Sequence, residues 1–194
     1  MMKRTVKTLL AAACLAPGLL FAAPVKYDVD AGHSYVLFNI LHYGVGNNYG
    51  AFTKFSGSFT LDKEDATKSS FEFEIDTDSV TTFNAKRDQH VKSPDFLNTQ
   101  QHPKVTFKSE SVKKISDKEY EITGPLTLLG VTKPVTAKLV KIGETKDPRG
   151  NDRIGGEASF SFKRSDYGMN QMLDNLGDEI NLKVAIEAVK KKDE

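Results

Sequence analysis

The stretch SFEFEIDTD, Ser70 to Asp78, sets Phe71, Phe73 and Ile75 on one phase of a period-two pattern and Glu72, Glu74 and Asp76 on the other. Successive side chains of a β-strand point to opposite faces, so the segment predicts a strand with one apolar and one wet face. The same alternation recurs at 34–42 (SYVLFNILH), 50–62 (GAFTKFSGSFTLD), 104–112 (KVTFKSESV), 119–130 (EYEITGPLTLLG), 132–142 (TKPVTAKLVKI), 156–164 (GEASFSFKR) and 180–189 (INLKVAIEAV). Turn-forming clusters divide these eight segments, among them DKEDATKSS, SDKE and DPRGNDRIGG. Phe52 and Phe55 are three residues apart, which breaks the alternation and predicts a bulge near Lys54. Eight antiparallel strands with one short helical insertion, around residues 84–98, predict an all-β up-and-down barrel more than an immunoglobulin-like sandwich. Alternation identifies the apolar face of each strand. It leaves open whether that face encloses a packed core or a cavity.

The ends of the chain bear on where it works. Residues 1–22 carry Lys3, Arg4 and Lys7, then the apolar run LLAAACLAPGLLFA, and no acidic residue, which is the anatomy of a secretory signal peptide cut after Ala22. A retained anchor is the weaker reading, because the run is shorter than the ~20 residues of a spanning helix and Pro17-Gly18 interrupts it. Cys14 lies in this leader, so the mature chain (23–194, expected as one domain) has no thiolate chemistry and no disulfide. The 27 basic residues less the three in the leader leave 24 against 26 acidic ones, a net charge of about −2. The only basic run is Lys190-Lys191-Lys192, and nucleic acid is not an expected partner.

The insertion concentrates reactive side chains: Arg87, Asp88, His90 and Ser93 stand within seven residues. Two readings compete. Arg87 and His90 face a ligand head group with Asp88 orienting them by charge-assisted hydrogen bonds, or Arg87 and Asp88 bond to the local backbone and hold the insertion in place. Phe96 is its expected hydrophobic anchor. A nucleophilic triad is disfavoured, since there is no G-x-S-x-G elbow and Ser93 precedes a proline. His33, His42, His90 and His102 lack metal-ligand spacing, and no metal site is expected; His33 and His42 are expected to make structural hydrogen bonds. Met169, Met172 and Leu173 read as a surface turn or as a cover over an opening.

Four separated blocks, HSYVLFNILHYGVGNNYGAFTKFSGSF (33–59), RDQHVKSPDFL (87–97), HPKVTFKSESV (102–112) and GPLTLLGVTKPVT (124–136), resemble in order and spacing the YceI-like family of polyisoprenoid-binding proteins. Val91 replaces the leucine usual in that family after the histidine, and the loop Tyr43-Gly44-Val45-Gly46 varies among members. The resemblance implies an extended eight-stranded lipocalin-like barrel in the periplasm, often a homodimer. It implies no enzymatic activity, no catalytic residue and no cofactor, but a bound isoprenoid, quinone or fatty-acid-like lipid, with transient membrane contact possible. On that reading Phe38, Ile40, Phe52, Phe71, Phe73, Ile75, Phe107, Phe160 and Phe162 line an apolar tunnel, and Arg87, Asp88 and His90 stand at its polar mouth. Sheltering a tail of ~20 carbons gains about 16 kcal/mol gross against water, at ~0.8 kcal/mol per methylene, but little against a bilayer. The rival classes are a lipid hydrolase or modifying enzyme, and a structural module with a packed core.

Overall fold

A computed structural model describes residues 23–192; the expected leader, 1–22, lies outside the described residues. Twelve strand segments form one sheet: β1 Val25–Val29, β2 Tyr35–His42, β3 Gly46–Phe52, β4 Phe55–Leu61, β5 Ser70–Asp76, β6 Val80–Thr81, β7 Lys104–Lys108, β8 Ser111–Lys114, β9 Glu119–Leu128, β10 Val131–Lys146, β11 Asp152–Lys163 and β12 Leu176–Lys190. Among the described residues there is one α-helix, α1 (Ala85–Lys92), which joins β6 to β7 through a loop, besides four short 3-10 turns. The twelve segments occupy eight positions around a closed antiparallel barrel. β1 and β2 lie end to end along β12; β4 pairs with β1 and β3 with β2, β5 pairs with β4 and β6 with β3, and β7 and β8 share the edge of β9. Pairing of β12 with both β1 and β2 closes the ring in chain order.

Each interruption in the first four positions is repaired by a serine hydroxyl, because backbone groups lifted out of a ladder need other partners. Between β1 and β2, Ser34 Oγ donates to the Glu187 carbonyl at 3.1 Å and accepts from its amide at 3.0 Å. Between β3 and β4 the chain breaks at Thr53-Lys54, where the bulge was expected, and the Lys54 amide donates to Ser79 Oγ at 3.0 Å. That same Ser79 stands at the break between β5 and β6 and donates to the Asp76 carbonyl at 2.7 Å. Beside the gap between β7 and β8, Ser109 Oγ accepts from the Phe71 amide at 2.8 Å. Here β9 passes so close that a Cβ on Gly124 would fall 2.1 Å from the Lys108 carbonyl oxygen.

The inward phase is the predicted one. Along β5, Phe71 and Ile75 are buried with Phe73 between them, and along β9, Tyr120, Ile122, Leu126 and Leu128 are buried. The barrel has two unlike ends. Both described termini and the turns 62–69, 115–118 and 147–151 lie at one end, which is filled by a stack of rings in which Tyr27, Phe59 and Phe71, register partners on β1, β4 and β5, follow one another at 5.2 Å. An ion-pair cluster closes this end: Arg153 reaches Asp30 at 2.8 Å, Glu187 at 2.9 Å and Asp147 at 3.2 Å. The β2–β3 turn, α1 with its loop, and the β11–β12 connection gather at the other end.

Candidate functional site: an apolar cavity with a polar mouth

Below that second end lies a cavity of about 310 Å³ with an almost wholly apolar wall. A second cavity of about 80 Å³ continues down the barrel, sharing Ile75, Val105, Leu126, Phe160 and Leu182 with the first, and a third of about 40 Å³ shares Phe71, Leu139 and Ile186 with the second. The space therefore tapers toward the ring stack. Of the tunnel candidates, Phe38, Ile40, Phe52, Ile75, Phe160 and Phe162 line the large cavity, while Phe71, Phe73 and Phe107 line the narrow one below. Phe38 lies directly over Gly50, where a Cβ would stand 2.2 Å from its ring, so the wall there is one aromatic ring deep because the opposite strand offers no side chain.

The helix that caps the cavity starts where its sequence says it should. Asn84 accepts the Arg87 amide at 3.0 Å as N-cap, and Ser93 ends it before Pro94. No residue of α1 itself is buried; the anchor comes from the following loop, where Phe96 and Leu97 are buried against the barrel and line the cavity.

The three polar candidates separate. Asp88 takes the structural role: it accepts from the Thr82 amide at 2.6 Å, the Thr82 hydroxyl at 2.6 Å and the Thr81 hydroxyl at 3.1 Å, and it does not line the cavity. Its partial burial pushes the carboxyl upward, yet these hydrogen bonds together outweigh that and hold it below the usual carboxylate range. Arg87 does both. Its Nε donates to Thr82 Oγ1 at 2.8 Å and its Nη2 to the Thr82 carbonyl at 2.7 Å, while the side chain lines the cavity mouth. His90 also lines the mouth, with Nε2 3.0 Å from Asp95 and its ring edge-on to Phe96 at 5.0 Å.

Leu126, Leu128, Ile180 and Leu182 also line the cavity; their strands are legible in the sequence, but alternation alone does not tell which inward residues face empty space. His33 makes the structural bond expected of it, to Asp30 at 2.9 Å, whereas His42 lines the cavity and packs on Tyr43 at 4.3 Å without the side-chain hydrogen bond expected of it among the described residues. Met169 and Met172 line the cavity, while Leu173 is exposed.

Arg164 carries no functional signature in the sequence. It is fully buried, and donates to the carbonyls of Met169 and Gln171 at 2.8 Å, Gly177 at 2.9 Å and Leu176 at 3.0 Å, which ties the whole β11–β12 connection to one side chain. Burial lowers its pKa from the ordinary arginine value, the Asp178 carboxylate acting the other way. Among the described residues no group of three His, Cys, Asp or Glu is arranged to hold a metal ion.

This architecture recurs in solved structures. A YCEI protein of Campylobacter jejuni superposes with a TM-score of 0.72 at 30% identity, over 78% of this chain and 90% of that one. A polyisoprenoid binding domain from Saccharophagus degradans, implicated in plant cell wall breakdown, superposes at 0.68 with 15% identity, over 86% of this chain and 99% of that one, a likeness of fold alone. Protein YceI of Escherichia coli O157:H7 is 42% identical over 175 residues, covering 90% of this chain and 91% of the relative. The family model described as the YceI-like domain matches residues 27–188, from the first strand of the ring to the last, and the chain belongs to the YceI-like family.

Proposed function

We propose that the mature chain binds a long-chain isoprenoid or a similar amphiphile, such as a quinone or a fatty acid, and stores or carries it without chemical change in the periplasm. The observation that carries this reading is the tapering apolar cavity under a polar mouth. Its volume is at the lower end of the ~300–1,000 Å³ of ordinary ligand sites, and the narrower cavities lie in series behind it. A tail entering past Phe96 and Leu97 meets Phe38, Phe52 and Phe162 first. To reach further it must pass Ile75, Val105, Leu126, Phe160 and Leu182, which line both of the upper two cavities, and Phe160 is the bulkiest of the five. The head stays at the mouth beside Arg87 and His90, where Arg87 is steadied through Thr82 by Asp88. The fold neighbour from Saccharophagus degradans, described as polyisoprenoid binding, supports the choice of ligand class, and the leader-like residues 1–22 support export.

The test is to purify the protein from its native host without detergent, extract it with organic solvent and identify the extract by mass spectrometry. One amphiphile in stoichiometric amount, unaltered after long incubation with the protein, is the expected result. No extractable hydrophobic molecule defeats the proposal, and steady conversion of the ligand replaces it with an enzyme.

A further inference from the structure

We infer that the mouth end of the barrel docks on a phospholipid bilayer, with Val45 and Phe83, flanked by Tyr43 and Leu173, entering the interfacial layer and holding the cavity mouth against it. The inference rests on the lipid-binding reading above and adds a partner to it. Val45 is 86% exposed, Phe83 76%, Tyr43 58% and Leu173 41%. They come from three separate connections, yet they flank one opening. The Tyr43 amide donates to the Asn175 carbonyl at 2.8 Å, which joins the β2–β3 turn to the β11–β12 connection. Thr82 and Met172, the neighbours of Phe83 and Leu173, both line the cavity.

Tyr43 keeps a local contact, its ring standing edge-on to His42 at 4.3 Å, whereas Val45 and Phe83 belong to neither core cluster. Tyr43 and Phe83 have φ of 51° and 62°, a left-handed conformation that suits glycine or asparagine and costs a bulky side chain on the order of 1 kcal/mol. A large apolar group held outward in that conformation serves something outside the barrel. The opposite end shows the contrast. Its turns carry Lys63, Glu64 and Asp65, then Asp117 and Lys118, then Asp147 and Arg149. Ile115 and Ile142, exposed near that end, are flanked in sequence by Lys114 and Asp117 and by Lys141 and Glu144.

The spacing of the tips decides the kind of partner. A stable protein interface needs about 800 Å² of close-packed surface per partner. Tyr35, Leu37, Leu41 and Tyr49 are also exposed, on the outer face of β2 and β3, but Val45, Phe83 and Leu173 project as single side chains from separate turns, and α1 presents Lys86, Arg87 and Gln89 to solvent. A fluid interface accepts separate tips without shape complementarity, seats a tyrosine at headgroup level and offers phosphates to exposed cations such as Lys86. A tail could then pass from leaflet to cavity without crossing water.

The experiment compares the mature protein with the double variant Val45→Ser, Phe83→Asn, neither position lining the cavity. Flotation with vesicles of phosphatidylethanolamine and phosphatidylglycerol reads docking, uptake of fluorescent anthroyloxy-stearic acid from vesicle-free buffer reads the cavity, and sedimentation velocity reads self-association. The wild type is expected to float, and the variant to lose at least about tenfold in partition with uptake unchanged. Equal partition overturns the inference, as does a variant that floats like wild type but no longer self-associates, which assigns the tips to a second copy of the chain. A wild type that floats but takes up no probe leaves docking standing and defeats the binding reading instead.

Discussion

The two halves of this barrel are built from the same alternating strands and differ in what those strands enclose. Toward the termini, Tyr27, Phe59 and Phe71 stack face to face across three neighbouring strands, and only small voids remain. Toward the mouth, Phe38 and Phe52 are tilted at 5.6 Å and Phe160 and Phe162 at 6.2 Å, around a space that no side chain fills. Apolar periodicity thus specifies an inward face, while the registration of large residues between neighbouring strands specifies whether that face closes on itself. Buried residues pack in both halves, but only the half toward the mouth keeps a cavity of about 310 Å³.

Phe59→Ala should break this division most severely. Removing the middle ring of the stack is expected to cost about 3–5 kcal/mol, measured by denaturant unfolding, and a loss under 1 kcal/mol would show that the stack is no foundation. Phe160→Ala should cost less, about 2 kcal/mol, because one side of the ring already faces empty space. The same change should join the upper two cavities and favour longer tails, so titration with acyl chains of increasing length provides its check; an unchanged length preference would contradict the proposed constriction.

How much of this was legible follows from the same distinction. The eight inward-facing segments and the break at Lys54 were readable because each depends on neighbours within a few residues. The ring stack and the cavity depend on which residues meet across strands, a matter of register that periodicity does not carry. Arg164 was invisible for a related reason. Its partners are the backbone carbonyls of 169–177, and a carbonyl acceptor leaves no mark in a sequence. Asp88 was visible as a candidate, but its role was settled only by Thr81 and Thr82, neither of which had been singled out.

Gly50→Ala sharpens the comparison with little mass. The new methyl would collide with the Phe38 ring and push it into the open space, at a cost of about 1–2 kcal/mol. Probe uptake should fall by more than stability does, and uptake equal to wild type would mean that the ring finds another place. The smallest effect is expected at the cap. Asp88→Asn should lower stability by about 1 kcal/mol or less and loosen α1, read by amide exchange over residues 85–92. The pH dependence has a definite sign. Because hydrogen bonds depress the Asp88 carboxyl in the folded protein, its contribution is complete above the ordinary value of 3.8 and is lost as pH falls below it through the depressed one. In acid the wild-type cap should loosen, and the Asn variant should show no such step at this position; identical acid profiles would remove Asp88 as the fastening.

The serine-patched interruptions all fall in the first four positions of the ring, from β1 to β8, whereas β9 through β12 run as continuous strands of up to 16 residues, with register shifts at Lys141–Gly143 in β10 and Leu176–Ile180 in β12. One wall is therefore broken into separate segments, and the other is continuous though bulged. Swelling to admit a thicker guest should be taken up at hinges near Ser34, Ser79 and Ser109, by exchanging a hydroxyl contact for a looser one rather than by tearing a ladder. A protein of this design could change its girth on one flank while the far flank keeps the ring closed.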